Sequence, residues 1–283
     1  MAKILRGEPV ADAILDEMKI RCGKLAEKGI IPTLVILRVG DKAADIAYER
    51  GAAKRCRMIG ARVFSIVLPE DATKDEVLAQ VERINKDDTI HGCLMFRPLK
   101  NRDIESAACR MLDPAKDLDC VTAASLGNVF IGRSDRYAPC TAHACVEMLN
   151  YYGYDIKGKR VTVIGASIVV GKPLSVLLVN RSGTVTMCHI DTVNTPHHAR
   201  DAEILISAAG VAKLVGREYL SPGQVVLDVG INRDENGKLC GDVDYEAAAE
   251  IVDAITPVPG GIGAITSAVL MKHLVEAAER ETE

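Results

Sequence analysis

The chain has no tryptophan, three phenylalanines and no CxxC pair among nine cysteines. Those cysteines (22, 56, 93, 109, 120, 140, 145, 188 and 240) are odd in number and scattered. That excludes a disulfide framework or a zinc ribbon as the organising device and makes most of them small buried apolar residues. No apolar run approaches the roughly 18 to 20 residues that cross a bilayer, and the start, MAKILRGEPVADAI, lacks an apolar stretch ending at a small-residue cleavage site. The expectation is a cytoplasmic protein with no membrane partner. There is no basic block either. With 35 Lys and Arg against 39 Asp and Glu the formal net charge is -4, so nucleic acid, which is held through phosphate electrostatics, is not an expected partner. Neither HxxxH spacing nor a GxSxG elbow occurs, so no metal site and no serine hydrolase is expected.

What is present is 283 residues, 48% of them apolar and 26% charged, enough for one large or two medium globular domains. Val10, Ile14, Met18 and Leu25 recur at helical intervals after Pro9, and TLVILRVG (33–40) then reads as a buried strand. Residues 41–59 read as helix and 62–68 as strand. Thr73 and Glu76 form a capping box for a further helix, and 90–96 is another strand. Residues 113–139 read as loop-rich, and Thr141 offers an N-cap for the next helix. Beyond it the alternation restarts, with strands at 160–164, 184–188, 202–207 and 224–229, a helix at 172–180, and a last helix carrying Val269, Leu270, His273 and Leu274. Strands alternating with helices predict an α/β protein of two domains, the second a Rossmann-like, doubly wound parallel sheet. The boundaries drawn are 1–139, completed by a C-terminal helix at 265–283, and 140–264.

The strongest single motif is VTVIGASIVVGKP, where a strand ends at Gly165, the chain turns through Ala166 and Ser167, and Gly171 opens a helix with Pro173 in its first turn. A helix start of this kind offers backbone N–H donors and about half a positive charge to a phosphate. Because the spacing is G-x5-G, a plain strand–turn–helix is the competing reading. The following strand runs into His189, Ile190 and Asp191. An acid at that distance accepts both ribose hydroxyls and repels a 2′-phosphate, so NAD is favoured, with NADP the alternative.

Six segments together resemble the methylenetetrahydrofolate dehydrogenase/cyclohydrolase family of the bacterial bifunctional type. They are VGDKAADIAYERGAAKRCRMIG (39–60), DPAKDLD (113–119), PCTAHA (139–144), VIGASIVVGKP (163–173), DVGINR (228–233) and TPVPGGIGAIT (256–266). The resemblance implies a folate-binding half, a nucleotide-binding half with the active cleft between them, and a homodimer. It implies two reactions: hydride transfer from 5,10-methylenetetrahydrofolate to a nicotinamide, then hydrolysis of the methenyl product to 10-formyltetrahydrofolate. The first chiefly requires alignment, because the cation formed is stabilised by two flanking nitrogens. Hydrolysis requires acid–base help.

By the same resemblance Tyr48 and Asp119 are the catalytic pair. Tyr48 lies against the folate ring, and Asp119 binds the amino-pyrimidinone edge through paired hydrogen bonds. Phe96, Pro259, Gly260 and Gly261 complete the substrate wall, and Gly165, Ala166, Ser167, Gly171, Ile190, Asp191 and Ile231 bind the cofactor. Four positions depart from the family pattern. Ala52 stands where the hydrolytic lysine belongs, four residues after Tyr48, and Phe96 replaces the glutamine that holds that lysine. Cys120 replaces a glycine after Asp119, implying a shifted loop, and Ala264 replaces a proline, implying a looser one. Lys54 lies about 200° around the helix from Ala52, and Arg97 stays protonated, so neither is a ready substitute. The expectation is a dehydrogenase that has lost cyclohydrolase activity. The bifunctional enzyme and a non-catalytic folate- or nucleotide-binding protein are the alternatives.

Overall fold

The structure, a computed structural model, describes residues 1–133 and 137–280. Residues 134–136 of the expected loop and 281–283 of the expected last helix lie outside the described residues. In chain order, β1 (Lys3–Ile4) leads into α1 (Gly7–Glu27), and Val10, Ile14, Met18 and Leu25 are all buried along one face of that helix. There follow β2 (Thr33–Val39), α2 (Ala43–Met58), β3 (Arg62–Leu68), α3 (Lys74–Lys86) and β4 (Gly92–Met95). The Thr73 side chain accepts from the Glu76 N–H and the Glu76 carboxylate accepts from the Thr73 N–H, so the capping box forms as read.

The next stretch departs from the expectation. After α4 (Arg102–Met111), the loop-rich segment contains a helix, α5 (Ala123–Phe130). Its start is fixed by Asp117, whose carboxylate accepts from the N–H groups of Val121 and Thr122 at 2.8 Å each, and by the Thr122 hydroxyl, which accepts from Ser125 N–H. Lys116, also buried, donates to the carbonyls of Ile84, Asn85 and Asp87 at 2.7–3.0 Å and so closes the carboxyl end of α3. Thr141 is no N-cap, because α6 (Cys140–Tyr151) begins one residue earlier, directly after Pro139.

The remaining elements are β5 (Arg160–Ile164), α7 (Gly171–Val179), β6 (Thr184–Cys188), α8 (Thr195–Arg200), β7 (Ile204–Ser207), β8 (Val225–Asp228), β9 (Asn232–Arg233), β10 (Leu239–Cys240), α9 (Tyr245–Ala249), β11 (Ala254–Ile255) and α10 (Thr266–Arg280). The chain divides into two compact units. One comprises Met1–Ala11 with Thr141–Thr266, the other Asp12–Cys140 with Ser267–Glu283.

In the first unit a six-stranded parallel sheet has the order β1-β11-β8-β7-β5-β6. The first eleven residues therefore group with the second half of the chain, because β1 adds to the sheet edge at β11. Its core includes Ile164, Leu205, Val226 and Ile255. In the second unit a three-stranded parallel sheet has the order β3-β2-β4. The central strand β2 is buried on both faces, as its continuous apolar run requires. Val35, Leu37, Val77, Val81, Ile84 and Met95 form the core there, each fully buried side chain contributing about 1.5–3 kcal/mol. All nine cysteines are free and none is exposed. Burial pushes the thiols of Cys22, Cys56, Cys93 and Cys145 up to about 11 or 12, which suits packing and not nucleophilic chemistry. Among the described residues no helix is long and apolar enough to cross a membrane.

Candidate active site

In the unit built on the three-stranded sheet, α2 brings Tyr48 to Phe96 at the end of β4. The rings meet edge-on, with centroids 5.8 Å apart and planes at 86°. Burial, followed by the charges of Cys140 and Asp119, drives the Tyr48 phenol far above its ordinary range, so the hydroxyl stays neutral and can donate.

Asp119 is set in place by its chain neighbours. Leu118 is fully buried against Gly92, where an added Cβ would lie 2.2 Å from Leu118 Cδ1. His273 on α10 places Nδ1 2.8 Å from the Leu118 carbonyl, and because a carbonyl only accepts, the proton sits on Nδ1. Cys140, at the start of α6, donates its N–H to Asp119 Oδ1 at 3.0 Å, and its thiol bonds the same carboxylate. Burial raises the Asp119 carboxyl, while the Cys140 donors and the Arg97 charge pull it back in part. Of the acidic and basic groups in DPAKDLD, Lys116 and Asp117 close helix ends, and Asp119 is the one that stands near Tyr48.

Cys120, expected to shift this loop, instead takes φ +56°, the left-handed region a glycine would occupy, and is buried. The side chain is thus held in a conformation that L residues seldom adopt. Ala52 is fully buried one turn beyond Tyr48, and Lys54 is exposed, as helical geometry requires. At the two positions where the resemblance implies an amine and its amide partner, this unit presents a methyl group and an aromatic ring.

In the other unit a cavity of about 500 Å³ opens at the carboxyl ends of β5, β6 and β7, where the chain crosses from one side of β5 to the other. That is the position at which doubly wound sheets hold nucleotides. Gly165, Ala166, His189, Ile190, Ala209 and Val211 are among its walls. The G-x5-G spacing has a steric basis. Gly165 has φ +115°, and a Cβ there would meet the Ala208 carbonyl oxygen at 2.2 Å, while a Cβ on Gly171 would meet the Gly165 carbonyl oxygen at 1.8 Å. Turn, sheet and helix touch backbone to backbone, forming a cradle that any side chain would fill.

Two cofactor expectations change. The first turn of α7 does not hold free N–H donors, because Ser167 takes them. Its hydroxyl accepts from Val170 at 3.1 Å and Gly171 at 3.5 Å, its carbonyl accepts from Lys172 at 3.0 Å, and Pro173 has no N–H. Asp191 is not part of the cavity wall. Its N–H donates to His189 Nδ1 at 3.2 Å in a turn that also joins His189 N–H to the Thr192 hydroxyl at 2.8 Å, and its side chain is 87% exposed. The wall position belongs to His189, which the motif reading passed over although it directly follows β6.

The TPVPGGIGAIT loop lies in this unit too. Val258–Pro259 is a cis peptide, and Gly260 has φ +97° and accepts from Gly7 N–H at 2.8 Å. A Cβ on Gly7 would meet the Gly261 carbonyl oxygen at 2.1 Å, so the loop rests on the first turn of α1. The expected loosening at Ala264 is not seen. Its N–H donates to the Gly261 carbonyl at 3.1 Å, a bond proline cannot make. Ile231, 67% exposed, lies beside Gly263, where an added Cβ would be 3.7 Å from Ile231 Cδ1. His273, Cys140, His189 and Gly7 thus position site residues that no spacing rule singled out.

Comparison with known proteins identifies the family. Residues 5–119 match the catalytic domain of tetrahydrofolate dehydrogenase/cyclohydrolase, and residues 139–282 match the NAD(P)-binding domain of the same family. The chain is 44% identical over 282 residues, all of both chains, to the bifunctional protein FolD of Clostridium botulinum. It is 35% identical to the bifunctional FolD methylenetetrahydrofolate dehydrogenase/cyclohydrolase of Campylobacter jejuni, at a TM-score of 0.95 over 99% of this chain and 100% of that one. It is 33% identical to the Trypanosoma brucei enzyme complexed with NADP and an inhibitor, at a TM-score of 0.93 over 100% of this chain and 99% of that one. With both domains matched in order across nearly its whole length, the chain belongs to the tetrahydrofolate dehydrogenase/cyclohydrolase family.

Proposed function

We propose that this chain oxidises 5,10-methylenetetrahydrofolate to 5,10-methenyltetrahydrofolate. The observation that carries the reading is Asp119, held by Cys140 and by the His273-anchored loop in the neighbourhood of Tyr48. Asp119 accepts the paired N–H donors of the amino-pyrimidinone edge, and the neutral Tyr48 phenol lies along the ring and donates toward the reacting end. A nicotinamide dinucleotide supplies the hydride acceptor. The Gly165–Gly171 cradle and the 500 Å³ cavity suit its diphosphate and adenosine, and the family resemblance gives Ile231 to the nicotinamide and the Pro259–Gly261 loop to the substrate. The protein's main task is alignment, since the electron pair leaves a carbon flanked by two nitrogens.

NAD is the proposed dinucleotide. No Lys or Arg is among the residues lining the cavity, and the Asp191 carboxylate beyond it repels a 2′-phosphate. The NADP bound by the Trypanosoma brucei relative speaks for the other form.

Hydrolysis is the second reading. The relatives' names support a bifunctional enzyme better than a loss of that step. What favours the loss is local: Ala52 is buried where an amine is needed, Lys54 is exposed, and Phe96 packs on Tyr48. One two-stage assay separates the readings. Purified protein is given methylenetetrahydrofolate with NAD or NADP and methenyl formation is followed, then decay of that product is compared with buffer. No formation with either dinucleotide rejects the proposal, and decay faster than buffer establishes the bifunctional enzyme.

Self-association is also proposed, through the edge strand β3, whose Phe64 and Val67 are exposed.

A further inference from the structure

Asp242 is fully buried in the unit that carries the dinucleotide cavity, and its carboxylate accepts five hydrogen bonds. Oδ2 receives the Ser207 hydroxyl at 3.1 Å, Ala209 N–H at 2.6 Å and Gly210 N–H at 3.2 Å. Oδ1 receives Val211 N–H at 3.1 Å and the Asn232 amide at 2.9 Å. Three consecutive backbone donors therefore come from the turn after β7, which supplies Ala209 and Val211 to the cavity wall. The Asn232 donor comes from the residue after Ile231.

Asp242 is itself fixed from below. Asp228, at the end of β8, accepts from the N–H groups of Gly230 and Asp242 on Oδ1, at 3.0 and 2.9 Å, and from Val243 on Oδ2 at 2.9 Å. Packing leaves no slack in this arrangement. A Cβ on Gly230 would lie 2.1 Å from Asp242 Oδ1, and one on Gly241 would lie 1.9 Å from Asp228 Oδ2. A buried carboxylate that gathers this many donors holds each strongly, because every bond is charge-assisted and none competes with water.

We infer that Asp242 is a positioning residue for dinucleotide binding: by holding the Ala209–Val211 turn on one carboxylate that is itself tied to Asn232, it fixes one wall of the cavity without touching the cofactor. The inference rests on the reading of this cavity as the dinucleotide site. Three of its five donors are backbone N–H groups of the turn after β7, while the Ser207 hydroxyl lies in β7 and the Asn232 amide at the first residue of β9.

The test uses the full-length protein and NAD⁺ itself. Calorimetry on Asp242→Asn is expected to show binding weaker by tenfold or more, since an amide turns two donors toward N–H groups that need an acceptor. In the nucleotide-free protein, hydrogen exchange is expected to lose protection at the Ala209, Gly210 and Val211 amides while Val161–Ile164 in β5 keep theirs. The KM for the folate substrate is expected to stay within twofold. Asn232→Ala deletes one donor at a less buried position and covers the case in which Asp242→Asn does not fold; it is expected to weaken NAD⁺ binding threefold or more. NAD⁺ affinity within twofold of the parent in the folded variants overturns the inference alone. An unsubstituted protein that binds neither NAD⁺ nor NADP⁺ overturns the proposed function and the inference with it.

Discussion

Tyr48 and Ala52 share a face of α2 one turn apart, and in the proposed function the buried methyl at the second position, where the resemblance implies an amine, sets which chemistry the first can support. Hydride removal requires a held ring and a neutral phenol, both present. Water addition and ring opening require a group that moves a proton, and the family resemblance gives that role to a lysine at the position Ala52 occupies. Restoring it with its partner, Ala52→Lys with Phe96→Gln, is expected to raise enzyme-dependent decay of methenyltetrahydrofolate by about 10²-fold, the lower range for general acid–base help, while leaving methenyl formation within a few-fold. Absorbance decay under otherwise identical conditions is the readout, and a double variant no faster than its parent would sink this account of the cleft. The grouping of Tyr48, Phe96 and Asp119 was legible in the motifs, since the three do gather in one unit. His189 and Cys140 were not, because their roles come from hydrogen bonds closed by other segments, which leave no periodic trace.

At the scale of elements, the two edges of the three-stranded sheet are treated differently. Outer strand β4 is covered by the segment after α4: Cys93 donates to the Lys116 carbonyl at 2.7 Å and bridges to Asp117. Among the described residues β3 pairs only with β2, and it leaves Phe64 and Val67 more than half exposed. A long edge with outward apolar side chains is a template for another strand. Phe64→Lys with Val67→Lys is expected to weaken self-association at least ~30-fold, the loss of about 2 kcal/mol typical of a central apolar contact, as read by sedimentation equilibrium. A parent protein that is monomeric at all concentrations tested would remove the dimer proposal. The longer strands β2 to β8 and the helices α1, α2, α3, α6, α7 and α10 were legible because their apolar periods, two or continuous for strands and 3.6 for helices, are written locally; the two-residue strands β1, β9, β10 and β11 and helix α4 were not. Helix α5 was not, for AASLGNVF has no strong period and begins where Asp117, a residue outside it, supplies the acceptor.

Across the whole molecule, one group ties stability to pH in a readable direction. Burial, with the nearby Asp242 carboxylate adding, pushes the Asp228 carboxyl up to about 6, although three N–H donors oppose the shift. An unfolded aspartate titrates near 4. Between about pH 4 and 6 the native state therefore holds a proton that the unfolded state has lost, and the contribution of Asp228 to stability declines as pH rises through that window. Asp228→Asn is expected to be less stable throughout and to lack this decline, so urea midpoints of parent and variant measured from pH 4 to 7 should converge as pH increases. Parallel curves would show that Asp228 does not titrate there. The sequence by itself determined the α/β class, the order of the longer strands and of most long helices, and the family, because apolar period, capping chemistry and glycine spacing act over a few neighbouring residues. Only the tertiary structure decided that β1 joins the sheet through β11, that His189 and not Asp191 forms the cavity wall, and that one buried carboxylate ties the turn after β7 to the start of β9. Each of these depends on donors, acceptors and steric limits brought together from segments far apart in the chain, where pairing is chosen by three-dimensional packing and not by local spacing.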